Sequence, residues 1–126
     1  MQSPREVLRR FFAAENSRDW ETYQTFLDRE IVWQLHGTRE RTIRGIEEYL
    51  SVMQQAYRDS DVTFACIAFY QSEDKSRAVA ILRNSVGEIS CDNFSFRDGK
   101  ICAEEEFLLG RAETENKACP SGSFVL

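Results

Sequence analysis

The segment Gly87–Leu109, GEISCDNFSFRDGKICAEEEFLL, limits the possible folds more than any other part of the chain. Its Asp98-Gly99 pair, inside Arg97-Asp98-Gly99-Lys100, supplies the positive φ angles that a short hairpin connection needs, so two long antiparallel strands should meet there. Alternation puts Ser90, Asp92, Phe94 and Phe96 on one face of the first strand and Ile89, Cys91, Asn93 and Ser95 on the other. In the second strand, Ile101, Ala103, Glu105, Phe107 and Leu109 share a face, with Cys102, Glu104, Glu106 and Leu108 opposite. Neither face is purely apolar. A carboxylate in line with two phenylalanines suits a sheet that lines a cavity, because burying the charge unpaired is costly and drives it to take a proton. The alternative is that Asp92 lies near a strand end and faces water.

The rest of the chain supplies helices for that sheet. Ser3-Pro4-Arg5-Glu6 is a capping box with proline at the first helical position, and Val7, Leu8, Phe11, Phe12 and Ala14 then recur on one side, with Arg9, Arg10 and Glu15 read as the opposite side. Asn16-Ser17-Arg18 breaks this helix, and Asp19 caps a second, short one with Trp20, Tyr23, Phe26 and Leu27 as its apolar stripe. Ile31 to His36 has strand propensity and stops at Gly37; Thr38 to Ile43 reads as a short return strand or a loop. A third helix should follow Gly45, burying Ile46, Tyr49, Leu50, Met53, Ala56 and Tyr57. From Val62 the period changes to two, and four strands separated by short polar turns predict an antiparallel meander. This is an α+β chain: three helices packed on a strongly curved antiparallel sheet, a half-barrel with a conical pocket. Residues 1–110 form one domain, and residues 111–126, which lack any period, an irregular tail.

Composition removes several classes of function. A net charge of -5 and a pI near 5.0 leave no surface for a polyanion, so nucleic acid is not an expected partner. The N-terminus carries charges where a secretory signal has its apolar run, and no window approaches the ~18 apolar residues of a membrane span, so a cytoplasmic protein without a membrane partner is expected. Cys66, Cys91, Cys102 and Cys119 have no C-x-x-C spacing and read as reduced thiols. With a single histidine, no metal site or other cofactor is expected.

The order of elements resembles the nuclear transport factor 2-like superfamily, which includes the SnoaL-like polyketide cyclases and the ketosteroid isomerases. The resemblance rests on RRFFAAENSRDWETYQTFL in the helical hairpin, EIVWQLHG in the first strand, IRGIEEYL entering the third helix and CDNFSFRDGKI in the last hairpin, spanning Pro4 to Leu109. It implies a pocket for a small hydrophobic or carbonyl-containing molecule and pairing of two copies through the outer face of the sheet, where Ile67, Phe69, Val79, Phe107 and Leu109 could form an apolar patch. It also implies positions for the ketosteroid isomerase residues. Phe11 stands where that family has an oxyanion-donating tyrosine, Gln34 where it has its aspartate base, and Asp92 where it has a protonated aspartate donor. Only the last is retained, which argues against steroid isomerisation by that route.

With Gln34 and Asp92 both taken to face the pocket, strand parity adds Val32 and His36 from the first strand, Ser90, Phe94 and Phe96 beside Asp92, and Glu104, Glu106 and Leu108 from the last strand. The fourth strand would then turn Ile81 and Arg83 inward. The expected catalytic set is His36 as base or acid, Asp92 as hydrogen-bond donor or orienting acid, and Arg83 as anion stabiliser, with Phe11, Tyr49 and the other pocket residues binding substrate. Such a set suits a cofactor-independent isomerase, cyclase or dehydratase acting next to a carbonyl. Each member has a plainer reading: His36 ends a strand at the pocket rim, Glu104-Glu105-Glu106 is a charge run of the kind that covers solvated strands, and Arg83 can neutralise it. A non-catalytic ligand-binding or dimerisation module of the same fold is the alternative.

Overall fold

The computed structural model describes residues 2–111. Helix α1 (Pro4–Ser17) begins where the sequence signals it, with the Glu6 amide donating to Ser3 Oγ at 3.3 Å. It ends at Arg18, whose left-handed backbone (φ 61°) turns the chain into α2 (Trp20–Gln24), capped by Asp19 through the Thr22 amide. Strand β1 (Leu27–His36) starts earlier than the apolar run alone suggested, because Leu27 leaves the helical stripe and pairs with Ile101. The segment after Gly37 does form a return strand, β2 (Arg41–Arg44), and α3 (Ile46–Ala56) follows Gly45. The strands β3 (Phe64–Gln71), β4 (Arg77–Asn84), β5 (Glu88–Arg97) and β6 (Lys100–Arg111) complete the described chain.

These six strands make one unclosed sheet in the order β2-β1-β6-β5-β4-β3. The meander from β3 to β6 is antiparallel throughout, and Asp98 and Gly99 take φ angles of 53° and 77° at the tight turn between β5 and β6. The expectation of a wholly antiparallel sheet needs one correction: β1 lies parallel to β6, with Trp33 beside Glu104 and Leu35 beside Glu106. The last strand of the meander can dock beside the earlier β1 in either sense, and hydropathy does not record which. Arg111 belongs to β6 rather than to an irregular tail; residues 112–126, and Cys119 with them, lie outside the described residues.

All three helices cover one face of the sheet. At its closed end Phe11 stacks on Tyr23 with centroids 4.1 Å apart and meets Phe94 and Phe26 edge-on at 6.3 Å. Ala78 and Ala80 point up from β4 under α1, and their small side chains leave room for these rings. Toward the opposite end, where β1, β4 and β6 finish and β3 and β5 begin, the helices no longer fill the space.

Candidate active site

A cavity of about 470 Å³ opens at that end. Its walls are rings from both layers: Phe11 and Phe12 from α1, Tyr23 from α2, Tyr49 from α3, Tyr57 just beyond it, and Trp33 and Phe64 from the sheet. The volume lies in the range of small-molecule sites. Gly37 and Thr38 lie at the mouth beside Leu108, and a Cβ on Gly37 would stand 3.1 Å from Leu108 Cδ1.

Four carboxyl groups enter this apolar space. Asp92 comes from β5, Glu104 and Glu106 from β6 and Glu15 from α1. Oxygens of Asp92, Glu104 and Glu106 lie within 4.8 Å of one another, the only such acidic or metal-ligating group among the described residues. Three charges that close in a low-dielectric pocket must be relieved by protons or by a cation. Tyr23 and Tyr49 share a hydrogen bond of 3.1 Å, and Tyr49 donates to Glu104 Oε1 at 2.5 Å. Trp33 Nε1 donates to Glu106 Oε1 at 3.1 Å, and the Tyr57 hydroxyl to Glu15 Oε2 at 2.5 Å. Asp92 is 3% exposed and its Oδ1 has no hydrogen-bond partner among the described residues.

Burial therefore dominates the acidity of the group. It holds the Asp92 carboxyl well above the usual carboxylate range, with the neighbouring Glu106 and Glu104 charges adding to the shift. Glu104 is raised well above its ordinary value by burial and by Glu106, against the opposing bond from Tyr49. Burial pushes Glu106 up to about 7, against the Trp33 bond. Burial likewise pushes Glu15 up to about 7, opposed by the Tyr57 bond and reinforced by Glu106. Both residues keep some accessible surface because they line the cavity. Two acids pushed toward the neutral form by burial, beside two that titrate near neutrality, form a set able both to donate and to accept a proton.

The structure brings together only part of the expected residue set. Asp92, Glu104, Glu106, Leu108, Tyr49 and Phe11 line the cavity. Phe94 is buried in the closed end, and Phe96, past a register shift at Ser95, packs against the core. Strand parity places the remaining expected residues elsewhere. In β1 the buried side is Ile31, Trp33 and Leu35, so Val32, Gln34 and His36 face away from the cavity. In β4 the buried side is Ala78, Ala80 and Leu82, so Ile81 and Arg83 also face outward, and Arg83 is exposed. His36 and Asp92 thus lie on opposite faces of the sheet and cannot share a proton-transfer step. His36 stacks on Phe107 at 4.7 Å, with Nε2 at 2.8 Å from Glu105 Oε2 and Nδ1 against Glu40. Those two carboxylates, Glu40 first, raise its pKa, as for an imidazolium donating from both nitrogens.

Sequence reasoning missed Glu15, Trp33 and Tyr23. Glu15 is four residues beyond Phe11 and shares its helix face, a spacing that the assignment of Glu15 to the polar side overlooked. Trp33 follows from the alternation Ile31, Trp33, Leu35, the more apolar of the two registers of β1. Tyr23 carried only the signal of a core aromatic.

Three helices over one face of an unclosed mixed sheet is the fold of the nuclear transport factor 2-like superfamily. Within it, the chain belongs to the SnoaL-like domain family, whose model matches residues 8–104. It is similar in fold to a protein of Kribbella flavida provisionally assigned as a ketosteroid isomerase (TM-score 0.75, 19% identity, 86% of this chain and 79% of that one). It is also similar to a SnoaL-like protein of unknown function from Burkholderia thailandensis (TM-score 0.74, 17% identity, 84% and 94%). A provisionally assigned polyketide cyclase of Pseudomonas putida gives a TM-score of 0.69 at 15% identity, covering 86% and 93%. At these identities the likeness establishes the fold alone. No functionally curated protein shows significant sequence similarity to the chain.

Proposed function

We propose that the cavity binds a small carbonyl-containing molecule and moves a proton next to its carbonyl, as an isomerase, cyclase or dehydratase of the SnoaL-like type would. The observation that carries this reading is the gathering of Asp92, Glu104 and Glu106 inside an aromatic cavity with no Lys, Arg or His among its described lining residues. Asp92 and Glu104, held protonated, are hydrogen-bond donors for the carbonyl oxygen. Glu104 is held by the Tyr49 hydroxyl, which in turn shares a hydrogen bond with Tyr23. Glu106, titrating at about 7 and oriented by Trp33, is the base. Its carboxylate takes a proton from the carbon next to the carbonyl, the electron pair moves to the oxygen as an enolate held by the two acids, and Glu106 returns the proton at another carbon. The arrangement replaces the expected His36, Asp92 and Arg83 set with carboxyls alone.

The test is solvent exchange. Small cyclic and aryl ketones incubated with the protein in D2O should lose their α-proton NMR signals, with a rate that rises as pH passes through about 7. Glu106→Gln should remove the exchange, while His36→Ala should leave it intact. Exchange surviving in both Glu106→Gln and Asp92→Asn would overturn the assignment.

A second reading, pairing of two copies, is favoured by one feature of the outer face. Ala68, Ile81, Cys91 and Phe107 fall in one row across neighbouring strands, and no helix covers them. The patch differs from the expected one, because Phe69 pairs with Ala80, packs against the core and lies under the Arg5 guanidinium. Sedimentation should show a dimer at micromolar concentration that Phe107→Glu converts to a monomer; a monomeric parent protein would exclude the pairing.

A further inference from the structure

The geometry points to a substrate that carries a protonated basic nitrogen, seated between Glu15, Glu106 and Asp92 Oδ1. The inference rests on the reading of the cavity as a ligand site and names the chemical class that fits it.

Charge comes first. Five acidic residues line the cavity, the four interior carboxyls and Glu88 at the mouth, and no basic residue among the described ones does. An anionic ligand would enter a space that is already negative whenever Glu15 or Glu106 ionises, and would find no cation to meet it. The Arg18 guanidinium lies over the Tyr57 ring at 4.0 Å and donates to the carbonyls of Ser60 and Val62 at 2.8 and 2.7 Å; its charge eases the ionisation of Glu15, but Arg18 is not among the residues that line the cavity. The second observation is independent of the acid count. Asp92 Oδ1 is buried and has no hydrogen-bond partner among the described residues; the one donor that acts on this carboxyl is the Ser90 hydroxyl, its neighbour on β5, whereas Glu104, Glu106 and Glu15 are each bonded by an aromatic donor from another element. An ammonium N–H is a donor of the kind it lacks.

The walls agree with this ligand. Aromatic faces from Trp33, Tyr49, Tyr57 and Phe11 surround the acids, and a cation against such faces is stabilised by the ring quadrupole as well as by the carboxylates. Glu15 and Glu106 repel each other, and each is held near half ionisation at neutral pH. A positive nitrogen between them removes that repulsion and draws both toward the carboxylate form. The substrate's own charge then readies Glu106 to act as the base.

The titratable groups that would respond are few. Glu15 faces the site from α1, Tyr23 from α2, Tyr49 from α3 and Tyr57 from the turn after it. Asp92 and Glu88 face it from β5, and Glu104 and Glu106 from β6. Burial keeps the three tyrosines neutral, so the pH response between 6 and 8 belongs to the carboxyls.

The experiment compares benzylamine, benzyl alcohol, acetophenone and benzoate as probes of the intact protein, by NMR titration and thermal shift at pH 6 and pH 8. Benzylamine, protonated at both values, should bind at least about tenfold more tightly than benzyl alcohol at pH 8, and more tightly at pH 8 than at pH 6. Benzoate should not bind. Glu106→Gln and, should that variant fold poorly, Glu15→Gln should abolish the preference for the amine while acetophenone still binds. Equal affinity for amine and alcohol, or binding of benzoate, would overturn the inference. Acetophenone binding without an amine preference would overturn it while leaving the proposed function standing; no binding by any probe would remove both. Stabilisation by magnesium chloride equal to that by benzylamine would assign the positive charge to a metal ion and likewise overturn it.

Discussion

Three consecutive glutamates on β6 have opposite fates. Glu105 points outward, meets His36 at 2.8 Å and stays half-exposed. Glu104 and Glu106 point inward, where no cation among the described residues lines the cavity, and burial raises both toward the neutral acid. The residues are chemically identical and adjacent, so the difference is owed to the face of the sheet alone. The outer face pairs its charges and solvates them; the inner face strips them of water and turns carboxylates into a reservoir of protons near neutral pH.

The largest test of this contrast is stability against pH. A carboxyl whose folded pKa is raised binds its proton more tightly in the folded than in the unfolded chain, so its contribution is complete below about 4.5 and is lost as pH rises toward about 7. For Glu15 and Glu106, with Asp92 and Glu104 continuing the trend, unfolding stability without ligand should fall by on the order of 3 kcal/mol between pH 5 and pH 8. Denaturant melts of Glu106→Gln and Asp92→Asn should flatten that slope, and Glu105→Gln should leave it; an unchanged slope in all three would erase the distinction between the faces.

Packing gives the next effect. Ala80 is fully buried under α1, whereas Ile81 lies on the open side. Ala80→Leu should cost about 1–3 kcal/mol in chemical denaturation, while Ile81→Leu should stay within about 0.5 kcal/mol. Trp33→Phe removes the indole donor to Glu106 Oε1 and should cost about 1 kcal/mol while moving the Glu106 titration upward, read by NMR of the carboxyl carbon. The smallest effect belongs to His36→Ala. Its raised pKa means that the imidazolium contribution is present below 6.5 and fades as pH rises through the folded value, so the variant should lose only a slight stabilisation at low pH. Ligand binding in the cavity should be unaffected.

Much of the architecture could be read from local patterns. The Ser3 and Asp19 caps, the Asp98-Gly99 turn and the change of period after Val62 each act over a few residues, and each stands in the structure where the sequence put it. The inward set on β6 was also legible, because Glu104, Glu106 and Leu108 follow from the hairpin register with Asp92. The site failed on β1 and β4 for two different reasons. On β1 the register was taken from family resemblance, although Ile31, Trp33 and Leu35 are the more apolar alternative to Val32, Gln34 and His36. On β4 hydropathy itself misleads: the bulky Val79 and Ile81 face out and the small Ala78 and Ala80 face in, because the aromatic rings of α1 need the room.

The sequence by itself determined where the helices start and stop, where the hairpin turns and which residues of a single strand share a face, since these depend on contacts within a turn or a pleat. Only the tertiary structure decided which face became the interior, that β1 runs parallel to β6, and that Glu15 from the first helix joins Asp92, Glu104 and Glu106 from the last two strands. Those outcomes depend on the packing of elements far apart in the chain, and the loss of water that shifts the four acids exists only once that packing has formed.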